Sequence, residues 1–131
     1  MKTKTLLCVE PDPSVQRLLS AIFAGRYRLL ETGDGETALG MICTERPDLV
    51  LLELTLPDLP GAEVCRLVKR DEELQSTRIL VVTGAADAAS RHAALQAGAD
   101  GYISKPFGPA HLRSQVEDLL EGGASGRALS G

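Results

Sequence analysis

The stretch Pro47-Asp48-Leu49-Val50-Leu51-Leu52-Glu53-Leu54-Thr55-Leu56-Pro57 decides the fold. Its centre, Leu49 to Leu52, is apolar at every position instead of every second one. A strand with one wet face alternates, whereas a strand covered on both faces does not. The run therefore reads as the middle strand of a sheet with helices on either side. It stops at a carboxylate, Glu53, followed by a loop that contains Pro57 and Pro60. In open α/β sheets, ligands sit outside the carboxyl ends of the strands. Glu53 is thus the first candidate site residue.

Working outward, the same punctuation recurs. Leu6 to Val9 reads as a first strand, broken by Glu10-Pro11-Asp12-Pro13. Asp12 fits an N-cap with Pro13 at the first helical position, where a missing N–H costs nothing. Val15, Leu18, Leu19, Ile22 and Phe23 follow at helical spacing up to Gly25. Tyr27 to Leu30 reads as a more polar edge strand. Gly33-Asp34-Gly35 then turns into a helix that carries Ala38, Leu39 and Ile42 inward. Beyond Glu53, a helix from about Ala62 aligns Val64, Leu67 and Val68, and a charged segment runs from Lys69 to Thr77. Ile79 to Val82 predicts a fourth strand, 87–97 an alanine-rich helix with a thin apolar face, Tyr102 to Ser104 a fifth strand, and Pro109 onward a last helix. Strand–helix alternation of this kind predicts a single-domain, doubly wound parallel α/β sheet over residues 3–121. Residues 122–131 are rich in Gly, Ser and Ala and read as a flexible tail or linker.

Composition narrows the function. The chain has 131 residues, 44% of them hydrophobic and 24% charged, which suits one globular domain. A net charge of −4 with no basic cluster argues against nucleic acid or an anionic membrane as direct partner. The absence of tryptophan and the scarcity of other aromatics disfavour a base-stacking surface. Cys8, Cys43 and Cys65 lack metal-ligand spacing and read as small buried hydrophobes in a reducing compartment. The four apolar residues of Leu6 to Val9 are too short for a signal peptide or a membrane span, so cytoplasmic residence is the expectation.

The predicted strands end in polar residues of different kinds: Glu10, Glu53, Thr83 and Lys105. A parallel sheet places all of these ends on one edge. Carboxylates, a hydroxyl and an ammonium together suit a cation and a phosphoryl group. The plain alternative is that strands commonly end in polar residues. The chain also resembles the receiver domain of two-component response regulators. The resemblance rests on Leu6-Leu7-Cys8-Val9-Glu10, Pro47 to Gly61, Val82-Thr83-Gly84, Ala97-Gly98-Ala99-Asp100-Gly101-Tyr102 and Lys105-Pro106-Phe107. It implies a flavodoxin-like sheet of order 2-1-3-4-5 and a cis peptide bond before Pro106. It implies that Glu53 stands where the family has a phosphate-accepting aspartate. Glu10 and Pro11 then stand where two acidic residues hold Mg²⁺, Thr83 where a hydroxyl binds the phosphoryl group, and Lys105 where a lysine pairs with it. Tyr102 matches an aromatic that turns inward on activation.

The chain departs from that pattern at Glu53 and at Pro11. Glutamate places its carboxyl about 1.5 Å further out than aspartate would. In-line transfer tolerates little misplacement, about a hundredfold in rate per ångström. Pro11 offers no carboxylate, so Mg²⁺ loses an anionic ligand and its binding is expected to be lost or weak. Asp48 lies about 16 Å from Glu53, at the opposite edge. Asp58 reads as a turn residue, and Asp12 as a cap competing with a metal-ligand role.

The leading expectation is a non-enzymatic, atypical receiver that binds a protein partner without phosphorylation. Its interaction face would comprise the helix 87–97, the strand 102–104 and the helix 109–121. A homodimer through that face and an effector domain after the tail are options the resemblance leaves open. Glu53 would reach Lys105 and Thr83, either imitating a phosphorylated aspartate or forming a plain structural ion pair. The rival is a functional phosphoacceptor using Glu53, with Mg²⁺ on Glu10 and Asp12. A flavin binder or small enzyme fits less well, because no glycine-rich phosphate loop follows the first strand. His92 and His111 fall on helices, facing solvent, with no nucleophile beside them.

Overall fold

The computed structural model describes residues 3–85 and 87–122. Five strands form, β1 (Thr5–Val9), β2 (Arg28–Thr32), β3 (Leu49–Leu52), β4 (Arg78–Thr83) and β5 (Gly101–Ser104). They alternate with α1 (Pro13–Phe23), α2 (Gly35–Glu45), α3 (Gly61–Arg70), α4 (Ala88–Gln96) and α5 (Pro109–Leu120). All pairings are parallel, in the order β2-β1-β3-β4-β5. This is the flavodoxin-like sheet that the sequence implies.

The fully apolar run in β3 divides between two cores, because successive side chains point to opposite faces. Val50 and Leu52 join Leu7, Val9, Ile79 and Val81 against Ala38 and Ile42 of α2, Val64, Cys65 and Val68 of α3, and Ala94 of α4. Leu49 and Leu51 join Leu6, Cys8, Leu80, Val82 and Ile103 against Leu19 and Phe23 of α1 and Leu112, Val116 and Leu119 of α5. β2 is the polar edge strand, with none of its residues fully buried. Only Ala94 is buried within α4, which bears out its thin apolar face.

Several expectations need correction. Leu18 and Leu67, aligned by helical spacing with residues that are buried, are themselves 45% and 40% exposed. In α3 the buried face runs through Gly61, Val64, Cys65 and Val68, and Leu67 falls to one side of it. The second strand begins at Arg28, one residue after Tyr27, and extends to Thr32. The segment from Lys69 to Thr77 is not featureless: a single 3-10 turn, Glu72–Leu74, buries Leu74. Of the predicted tail, 123–131 lies outside the described residues.

Helix starts follow local capping chemistry. The side chains of Asp12, Asp34 and Asp87 accept from the N–H groups of Ser14, Thr37 and Ser90. α2 has a second cap from a distant loop. Asp58 accepts from the N–H groups of Gly35 (2.8 Å) and Glu36 (2.9 Å). The loop after β3 is thereby tied to the helix beside it. Its far end closes at Gly61, whose N–H donates to the Leu54 carbonyl at 2.7 Å. A Cβ on Gly61 would lie 2.3 Å from the Glu53 carbonyl oxygen and 2.7 Å from Leu54 Cα.

Both obstacles are backbone, so Gly61→Ala should force the tip of β3 away from α3. The expected loss is about 1–3 kcal/mol, as for other overpacked sites. Urea unfolding measures it, and an unchanged midpoint would contradict this account of the loop. Asp58→Ala should lower the midpoint in the same measurement, because the N–H groups of Gly35 and Glu36 lose their acceptor.

Candidate functional site

The sheet ladder continues one step beyond the strand ends and sets the site residues in register. The N–H of Glu53 donates to Val9, that of Glu10 to Thr32 and that of Lys105 to Thr83, all at 2.8–3.0 Å. Glu10, Glu53 and Thr83 are buried, at 5%, 6% and 0% exposure. Lys105 sits directly after β5 and before a cis peptide bond to Pro106.

The side chains converge. Lys105 Nζ lies 2.6 Å from Glu10 Oε1 and 2.7 Å from Glu53 Oε1. Glu53 Oε2 accepts from the Thr83 hydroxyl and, at 3.0 Å, from the Thr55 N–H. Glu10 Oε2 accepts from the Asp12 N–H at 2.9 Å. Burial pushes the Glu53 carboxyl up, but the bonds from Lys105, Thr83 and Thr55 and the ammonium's charge outweigh it. The net shift is downward, so the carboxylate form is favoured. Burial pushes Lys105 down, and its bonds to Glu10 and Glu53 reverse that to a net upward shift.

The site extends sideways through a loop. Thr83 Oγ1 accepts from the Ala85 N–H at 3.2 Å. The Ala85 carbonyl in turn accepts from the Tyr102 hydroxyl. The guanidinium of Arg91, on α4, lies 5.2 Å from the centre of the Tyr102 ring. A continuous set of contacts therefore runs from Lys105 through Glu53, Thr83 and Ala85 to Tyr102 and α4.

The other candidates fall elsewhere. Pro11 is exposed and Asp12 caps α1, its Oδ1 accepting from the Ser14 N–H at 2.8 Å. Asp48 is at the opposite edge, accepting from the Thr5 N–H at 2.7 Å. His92 and His111 are exposed. Cys8 and Cys65 are buried free thiols, pushed up by burial to about 12 and about 11, and inert as nucleophiles, whereas Cys43, expected to be buried, is exposed on α2. Sequence reasoning missed the bond between Lys105 and Glu10. Counting charges at the strand ends could have found it, since two carboxylates there have only one ammonium between them. It also missed Ala85, which acts through its backbone and leaves no trace in residue type.

Comparison with known proteins identifies the family. The model of the response regulator receiver domain matches residues 6–117. The chain belongs to that family. The receiver is 37% identical over 116 residues to the DNA-binding response regulator MtrA of Mycolicibacterium smegmatis, covering 88% of this chain and 50% of the relative. It is 32% identical over 121 residues to the phosphate regulon transcriptional regulatory protein PhoB of Pseudomonas aeruginosa, covering 92% and 53%. The chain thus spans about half the length of the curated relatives it matches. Among solved structures, the receiver domain of the sensor histidine kinase PA1611 of P. aeruginosa aligns with a TM-score of 0.85 at 28% identity, over 92% of this chain and 100% of that one. That receiver holds a magnesium ion in its active-site cleft. The BeF₃-activated DrrB receiver domain aligns with a TM-score of 0.83 at 29% identity, over 92% and 99%.

The lowered Glu53 makes a pH prediction. A carboxyl that titrates lower in the folded than in the unfolded chain adds stability above its unfolded value. That stability is lost as pH falls through the ordinary carboxylate range toward the folded value. Urea midpoints should therefore separate the native chain from Glu53→Gln at neutral pH and draw together in acid. A gap that does not narrow would contradict the ionised, paired Glu53.

Proposed function

We propose that this receiver is a signalling module that binds a protein partner without being phosphorylated. The observation that carries the reading is the occupied state of Glu53. Its carboxylate already engages Lys105 and Thr83, the two groups that the family resemblance assigns to the phosphoryl group. One charge stands in for nearly two, so the imitation of a phosphorylated aspartate is partial. Through Ala85, the engaged Thr83 holds the loop to which Tyr102 is bonded.

Magnesium fits these residues poorly. It demands near-octahedral oxygen coordination at about 2.0–2.1 Å. Pro11 supplies no side-chain oxygen, and the carboxylate of Asp12 is bonded at the start of α1. Both glutamates are bonded to Lys105. Without a metal to screen it, an anionic phosphodonor meets an anionic acceptor. The rival reading, with Mg²⁺ on Glu10 and Asp12, would have to break these bonds first.

The partner face is α4, β5 and α5. Leu95 of α4 is 49% exposed, and Arg91 of the same helix lies over the Tyr102 ring of β5. Protein partners, including a second copy of the chain or an effector domain beyond the tail, are the class this face suits. Nucleic acid and membrane do not suit a domain of net charge −4. Among the described residues, no helix is long and apolar enough to cross a membrane. We place the protein in the cytoplasm, with no catalytic activity of its own.

Exposure to acetyl phosphate and Mg²⁺ followed by intact mass measurement tests the proposal. No gain of a phosphoryl group is expected. A stable adduct that disappears in Glu53→Gln would overturn it. The double variant Glu53→Asp with Pro11→Asp should acquire Mg²⁺-dependent phosphorylation, since it restores both the acceptor's reach and the metal's missing anion.

A further inference from the structure

We infer that Lys105 is the resident cation of this site: its ammonium and a divalent metal ion compete for the same point between Glu10 and Glu53. The inference deepens the proposed function and rests on it for the site's role, but not for the geometry. The four carboxylate oxygens of Glu10 and Glu53 are each bonded from within the chain. Glu10 Oε1 and Glu53 Oε1 bind Lys105 Nζ, at 2.6 and 2.7 Å. Glu10 Oε2 binds the Asp12 N–H at 2.9 Å, and Glu53 Oε2 binds the Thr55 N–H at 3.0 Å and the Thr83 hydroxyl. A metal ion bridging Glu10 Oε1 and Glu53 Oε1 would meet the ammonium that both oxygens already hold.

The electrostatics run the same way. Both carboxylates are buried, and buried charges need a partner. Lys105 is the only ammonium or guanidinium recorded in an ion pair with either of them among the described residues. Removing it would leave adjacent like charges with no neutralising group. Such a pair either takes up protons or binds a cation. Lys105 is therefore a positioning residue: it keeps Glu53 Oε2 aimed at Thr83 and so maintains the connection through Ala85 to Tyr102.

Titration with Mn²⁺, read by electron paramagnetic resonance of the free ion, tests the competition. The native chain should take up no Mn²⁺ at millimolar concentration, and its Tm should not move with Mg²⁺. Lys105→Met should have a lower Tm and gain Mn²⁺ affinity by at least about tenfold, a factor resolved easily by this method. Adding Glu10→Gln to Lys105→Met should abolish the gained binding, and Lys105→Arg should remain insensitive to Mn²⁺. Uptake of Mn²⁺ by the native chain that is lost in Glu10→Gln would overturn the inference, whether or not Lys105→Met folds. So would a folded Lys105→Met with no gain. Metal binding without phosphorylation sinks this inference and spares the proposed function, whereas phosphorylation at Glu53 sinks that function directly.

Discussion

A single ammonium shared by two buried carboxylates constrains the whole carboxyl edge of the sheet. Lys105 follows β5, Glu53 follows β3 and Glu10 follows β1. In the observed order, β5 and β1 are separated by β4 and β3. Three strand spacings amount to roughly 14 Å, at about 4.8 Å each. A lysine stem bridges that span only if the acids lean toward it. Both acids are glutamates, and both present one oxygen to Nζ. The length of the side chains, no less than their charge, lets one cation serve both.

This arrangement also fixes what surrounds it. With one oxygen of each glutamate committed to Lys105, the other accepts from fixed donors. Glu10 accepts from the backbone of Asp12, which begins the turn into α1. Glu53 accepts from Thr55, which begins the loop tied by Asp58 to α2. It also accepts from Thr83, which is bonded onward to Ala85. Three loops that share no sequence neighbourhood are thereby referred to one charge cluster. Burying such a cluster carries a desolvation cost, and complete hydrogen bonding offsets it.

The fold was legible in the sequence because its signals are local or periodic. Leu49 to Leu52 announced a strand covered on both faces, and the two cores divide its residues as alternation requires. Asp12, Asp34 and Asp87 cap helices from adjacent positions, where short range makes the pattern readable. Spacing alone does not separate Leu18 and Leu67 from their buried neighbours, because a helix also carries large apolar residues at the margin of its buried stripe. The 3-10 turn at Glu72–Leu74 escaped because only one residue of it, Leu74, is apolar. At the site, the residues themselves were legible, since strand ends gather at one edge. Their partners were less so. Asp58 binds α2 across 23 positions and Lys105 binds Glu10 across 95, and nothing in the intervening sequence marks either pair.

The departures at Pro11 and Glu53 make sense together. Pro11 offers no side-chain oxygen to a cation at this edge, and the positive neighbour of Glu10 is Lys105. An aspartate at position 53 would end about 1.5 Å short of the present carboxylate. It would reach the Lys105 ammonium only if the lysine retreated from Glu10 toward β3. Glutamate removes that conflict, because its extra methylene meets the ammonium where Glu10 already holds it. The same added length carries Oε2 to Thr83. On the proposed reading, Pro11 disfavours a metal and Glu53 gives the ammonium a second carboxylate partner. What they leave is a charge cluster whose contacts continue through Thr83 and Ala85 to Tyr102 and Arg91 of α4.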